Sequence, residues 1–135
     1  MIYAANDKCA MDNILKAFAE YIRGQDYFDI VYSDKIGYVK LKVHDADEDP
    51  PEVMDSPEAL LGNLFYEMIN DVVYSPDNPN QEHYDYTLTE YEETESRRRI
   101  TAILETMEEK DKGRYLGYLD YCIKKYQERD PCENQ

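Results

Sequence analysis

Apolar positions along Ser56–Val73 (SPEALLGNLFYEMINDVV) repeat with helical spacing. Leu60, Leu64, Met68 and Val72 recur every four residues, and Leu61, Phe65, Ile69 and Val73 run one step behind. Their combined arc is wider than a helix lying on one surface needs, which predicts a core helix touched on both flanks. Ser56 supplies a capping oxygen, Pro57 fits the first helical position, and Glu58 puts negative charge at the positive end of the helix dipole.

Other stretches carry weaker patterns. Over Asp12–Arg23, Ile14, Phe18 and Ile22 form one stripe with Leu15 and Ala19 beside it. That spacing predicts a helix, with a start as early as Asp7. Arg23 suits its last turn and Gly24 a left-handed exit. Tyr27–Tyr32 and Tyr38–Val43 are β-branched and aromatic runs joined by Ser33-Asp34-Lys35-Ile36-Gly37, the signature of a β-hairpin with a Gly-containing loop. In the second run Val39, Leu41 and Val43 alternate with Tyr38, Lys40 and Lys42. The first set is expected on a buried face and the second in water. The first run is apolar on both sides except at Asp29, which predicts fuller cover. A hairpin is only marginally stable alone, so helices are expected to pack on it.

Thr89 opens a helix with capping-box spacing, Thr89-x-x-Glu92. Its first turns are acidic, and apolar spacing begins only at Ile100, Ile103, Leu104 and Met107. The first half is therefore expected in solvent and the second half docked. After Glu108-Glu109-Lys110, Asp111 can cap a last helix to about Gln127. Leu116, Leu119, Ile123 and Tyr126 form its stripe, widened by Tyr115, Tyr118 and Cys122. The pair reads as an antiparallel helical hairpin. Together these patterns predict one α+β domain over residues 1–135: helix, β-hairpin, buried central helix and C-terminal helical hairpin. Residues 1–10 and 130–135 are expected as poorly ordered ends. A short third strand fits the alternation of Tyr84, Tyr86 and Leu88.

Two acidic connections separate these elements. His44–Asp55 (HDADEDPPEVMD) reads as a linker. Tyr74–Tyr86 (YSPDNPNQEHYDY) has thirteen residues dense in Pro and Asn, long enough for a binding loop. Net charge is −15, and Lys42 is followed by no Lys or Arg until Arg97. The 54 residues Val43–Ser96 hold 16 acids, whereas the rest of the chain sets 14 acids against 15 bases, so the excess belongs to the middle segment. Such a surface repels nucleic acid and anionic membranes and attracts cations and basic proteins. Apolar runs fall far short of the ~20 residues needed to cross a bilayer. The first residues lack the basic start and apolar run of a secretion signal. Cys9, Cys122 and Cys132 form no CxxC pair, so free thiols in the cytoplasm are expected.

Candidate chemistry is sparse. Asp45, Asp47 and Asp49 imitate the opening of a calcium loop, but Pro50 stands where the sharp turn needs Gly and Ser56 where a bidentate Glu is required. His83, in Glu82-His83-Tyr84-Asp85, has the neighbours of a general base. No serine or cysteine has the setting of an activated nucleophile, and no Gly-rich loop could cradle phosphate. His44, His83 and three scattered cysteines lack zinc-ligand spacing. No catalytic residue, metal site or cofactor is therefore expected. Arg97-Arg98-Arg99 is no nucleic-acid patch, because Glu93 and Glu95 can pair with Arg97 and Arg99 one turn on and the chain lacks a positive footprint. Fourteen tyrosines and no tryptophan are the other oddity. Tyr21, Tyr32, Tyr115 and Tyr126 fit core positions, whereas Tyr74, Tyr84, Tyr86 and Tyr91 lie in or beside acidic segments. Interleaved rings and carboxylates suit Arg and Lys, giving charge for the head group and a ring for cation–π contact.

The segments FAEYIRGQDYFDIVYSDKIGYVKL and INDVVYSPDNPNQEHYDYTLTEYEE resemble small acidic proteins of unassigned function carried on mobile elements of gut Firmicutes. The likeness runs from Met11 over most of the chain and brings no catalytic motif. In size and charge the chain is also similar to acidic anti-CRISPR and anti-restriction inhibitors. Charge placement and that similarity lead to one expectation: a non-catalytic protein that engages a basic surface of a nuclease or other nucleic-acid-binding protein as a nucleic-acid mimic. The residues expected to form that surface are Asp45, Asp47, Glu48, Asp49, Asp77, Glu82, Tyr84, Asp85, Tyr86, Glu90, Tyr91, Glu92, Glu93 and Glu95. Two alternatives stay open. One is an adaptor or homodimer using the solvent-facing start of the Thr89 helix; the other is a carboxylate-dependent, metal-binding phosphoesterase drawing acids from both loops.

Overall fold

A computed structural model describes residues 5–43, 51–79 and 87–127. They form five helices and one three-stranded antiparallel sheet, an α+β architecture. The order is α1 (Ala5–Ala17), α2 (Ala19–Gly24), β1 (Phe28–Ser33), β2 (Gly37–Lys42), β3 (Glu52–Met54), α3 (Pro57–Val73), α4 (Glu90–Leu104) and α5 (Glu109–Gln127). The chain divides into two compact units, residues 1–61 and 62–135, with the boundary inside α3.

In residues 1–61 the expected first helix is present but broken. Phe18, fully buried, leaves helical geometry at φ −94°, ψ 7° and separates α1 from α2. The hydrogen bonds Phe18 N–H to Ile14 O and Ile22 N–H to Phe18 O, both 3.0 Å, carry the helical path through the break. The helix also starts earlier than Asp12, at Ala5. Gly24 is the last residue of α2 rather than a left-handed exit. The residue that turns the chain there is Gln25, whose side-chain amide donates to Ile22 O (2.9 Å) and Phe28 O (2.7 Å) while its oxygen accepts from Tyr27 N–H (2.7 Å). The glycine that uses the left-handed region is Gly37, at φ 104°. It closes the β1–β2 hairpin, where Ser33 Oγ accepts from Lys35 and Ile36 N–H.

The sheet order is β1-β2-β3. Its third strand is Glu52–Met54, inside the segment read as a linker, and pairs Tyr38 with Met54 and Lys40 with Glu52. Leu88 lies outside any strand, and residues 84–86 fall outside the described residues. The face expected to be wet is the covered one. Phe28, Tyr38, Lys40 and Met54 are all buried, whereas Val43 is 54% exposed and Leu41 only half-buried. Two contacts account for the reversal. The Tyr38 hydroxyl donates to Asp12 of α1. Lys40 places its ammonium 5.2 Å from the Phe28 ring centroid, so its stem lies in apolar surroundings with the charge over a π face. Val39 is buried on the opposite face, but Val31 and Val53 beside it are 38% and 42% exposed, and β1 is not fully covered. Tyr32, expected in the core, is 43% exposed; Tyr38 takes that place.

α3 begins as the sequence dictates, with Ser56 Oγ accepting from Ala59 N–H at 3.1 Å. Leu60, Leu61, Leu64, Phe65, Met68, Ile69 and Val72 are all buried. In residues 62–135, α4 and α5 form the expected antiparallel hairpin. Leu88 N–H meets Gln127 Oε1 at one end (3.3 Å), Arg97 meets Asp120 midway (2.5 Å), and Lys112 meets Glu105 at the turn (3.5 Å). The turn falls at 105–108, so α5 starts at Glu109, ahead of the expected cap at Asp111. Tyr115, Leu119, Ile123 and Tyr126 are its buried stripe, with Leu116 half-buried beside them.

Candidate functional site

The start of α4 is built by a reciprocal cap. Thr89, extended at φ −71°, ψ 165°, accepts from Glu92 N–H (3.2 Å), and Glu92 Oε1 accepts from Thr89 N–H (2.9 Å). The second Glu92 oxygen accepts from Asn78 Nδ2 at 2.7 Å, and the same amide donates to Val73 O at 2.8 Å. Asn78 and Glu92 are 2% and 0% exposed. Glu92 therefore leaves the expected interface, because its carboxylate is an internal clasp joining the end of α3 to the N-terminus of α4.

The same inward face continues through Ser96, Ile100 and Leu104, all buried. The expectation that the first half of α4 stands in solvent is thus corrected: only its outer side does. Ser96 Oγ is buried without a hydrogen-bond partner. Polar residues at 92 and 96, in register with Ile100 and Leu104, were the available signal for this stripe.

On the outer side, Glu90, Tyr91, Thr94 and Glu95 border an open depression of about 370 Å³. Glu90 is exposed and Tyr91 half-buried. Glu95 accepts from Arg98 (2.9 and 2.5 Å) and from Arg99 (2.8 Å). The hydrogen bonds from Arg98 and then Arg99 hold the Glu95 carboxyl down to about 2. Glu93 takes Arg97 at 3.3 Å, and Arg97 also reaches Asp120. Partial burial works against the Arg97 charge, but the bonds from Asp120 and Glu93 outweigh it and raise its pKa. The i,i+4 pairs read from the sequence are thus formed, and they neutralise two of the four expected α4 carboxylates.

Asp77 is exposed, with its N–H on Ser75 Oγ (3.1 Å), one residue before the Asn78 clasp. Asp45, Asp47, Glu48, Asp49, Glu82, Tyr84, Asp85 and Tyr86 lie outside the described residues, as do His44, His83 and Cys132. Among the described residues no group of three or more His, Cys, Asp or Glu could hold a metal ion, and no helix is long and apolar enough to cross a membrane. No protein-family model, curated protein or solved structure matches the chain.

Proposed function

We propose that this chain is a non-catalytic binding protein that holds a basic surface of another macromolecule, with the outer side of α4 as one contact. The observation that supports it is the depression lined by Glu90, Tyr91, Thr94 and Glu95. An incoming Arg or Lys would meet the exposed acid of Glu90 and the ring of Tyr91, and would compete with Arg98 and Arg99 for Glu95. Each exposed pair contributes only about 0–1 kcal/mol, so affinity requires several such contacts together. A phosphate-like row along α4 is not available, since Glu92 points inward and Glu93 and Glu95 carry arginines. Mimicry of nucleic acid would draw instead on acids other than those three, Asp77 and Glu90 among them. The partner class that fits is a nucleic-acid-binding protein with a basic groove.

The test is retention of nucleic-acid-binding proteins on the immobilised chain at low salt, followed by a NaCl gradient. Asp77→Lys/Glu90→Lys is compared with Glu20→Lys/Asp34→Lys, which changes net charge equally at exposed positions elsewhere. The first variant is expected to lose the retained proteins and the second to keep them. Retention that ignores salt, or equal loss in both variants, overturns the assignment.

A further inference from the structure

Within residues 62–135, α3 and α5 leave a groove of about 280 Å³. Half of its lining residues are tyrosines. Tyr66 lies 5.5 Å from Tyr126, and Tyr118 stacks on Tyr121 at 5.6 Å with an interplanar angle of 27°. Tyr66 and Tyr121 are 40% and 53% exposed, whereas Tyr126 is buried and fixed by its hydroxyl, which donates to Asn70 Oδ1 at 2.6 Å. The residue opposite Tyr118 is Gly62, where a methyl group would stand 3.4 Å from the Tyr118 hydroxyl. A larger side chain at Gly62 would therefore occupy the groove. Tyr118 and Cys122, read from the sequence as widening a packing stripe, line this groove instead.

Among the described residues Lys125 is the only charged one in the lining, and no carboxylate lines the groove. Lys125 has no ion-pair partner among the described residues. An aromatic recess whose one charge among the described residues is a cation favours an anionic ligand over a cationic one. Ligand sites are typically concave and mostly apolar, with a few polar groups that set orientation, and this volume sits at their small end. Flat rings pack on tyrosines in offset or edge-on geometry.

We infer that this groove binds a small aromatic carboxylate, its ring between the two tyrosine pairs and its carboxylate on Lys125. Binding is non-covalent. Burial pushes the Cys122 thiol up to about 11, so it is protonated at neutral pH and offers a soft contact rather than a nucleophile. The site is separate from the outer side of α4 and does not depend on the function proposed above.

The test uses indole-3-acetate and its neutral counterpart indole-3-acetamide on the full chain. The protein contains no tryptophan, so indole emission reports the probe alone. Saturable binding of the acid is expected, about tenfold tighter than the amide, which corresponds to one ion pair in a partly dry site. Lys125→Gln is expected to bring the acid down to the level of the amide. Tyr121→Ala, at an exposed position that leaves the core intact, is expected to weaken both about tenfold. Amide resonances of Gly62 and Cys122 are expected to shift during the titration. Absence of saturation at millimolar probe, equal affinity for acid and amide, an acid affinity unchanged in Lys125→Gln, or shifts confined to other regions would each overturn the assignment.

Discussion

Glu92 and Ser96 sit one turn apart on the inward side of α4, both fully buried, in opposite circumstances. Glu92 has both carboxylate oxygens engaged, by the Thr89 N–H and the Asn78 amide. Ser96 Oγ has no partner. Glu92→Ala removes a helix cap worth about 1 kcal/mol. It also strips a buried amide of an acceptor, a loss of about 1–3 kcal/mol. Destabilisation of about 2–4 kcal/mol is expected from urea unfolding. Ser96→Ala deletes a hydroxyl that was desolvated without compensation and raises helix propensity by about 0.5 kcal/mol. It is expected to stabilise the protein by up to about 1 kcal/mol. A lower urea midpoint for Ser96→Ala would show that its hydroxyl is satisfied in solution.

At the scale of elements, the α4–α5 hairpin sets apolar burial against ion pairing. Arg97–Asp120 is short, at 2.5 Å, but its side chains are 38% and 67% exposed. Exposed pairs contribute about 0–1 kcal/mol, whereas truncating a fully buried aliphatic side chain costs about 2–5 kcal/mol. Ile100→Ala is thus expected to lower stability several times more than Asp120→Ala, as read from paired denaturation curves. The same distinction explains what the sequence made legible. Long apolar periodicity located α3 and the hairpin, and Thr89-x-x-Glu92 located the cap, because each is set by contacts within a few residues. Alternation in β2 revealed two faces but not which one would be covered. That choice depends on Asp12 meeting Tyr38 across 26 residues of chain. β3 has only three residues, too few to display a period inside an acidic, proline-containing segment. In the candidate site, the arginine partners of Glu93 and Glu95 were readable as i,i+4 neighbours. The inward role of Glu92 was not, since its second partner, Asn78, comes from the loop after α3.

Over the whole molecule, two electrostatic effects of opposite sign decide how stability responds to pH and salt. The net charge of −15 produces long-range repulsion, felt over a Debye length of about 30 Å at 0.01 M salt and about 3 Å at 1 M. Contact pairs such as Glu95 with Arg98 and Arg99, at 2.5 and 2.8 Å, are too short to be screened as strongly. Added NaCl at neutral pH is therefore expected to raise the urea midpoint. Acidification acts on the paired acids. Glu95 is held at about 2 against an ordinary 4.5 by Arg98 and Arg99, and Asp12 is held below its ordinary 3.8, chiefly by the Tyr38 hydroxyl. A group depressed in the folded state stabilises fully above its unfolded pKa, and that contribution disappears as pH falls through the folded value. The Glu95 share is then complete above pH 4.5 and largely gone near 2. Glu95→Gln should flatten the acid limb of the stability profile. An unchanged acid limb in that variant would mean that the arginine pairs open in solution, freeing Glu95 for a partner at no internal expense.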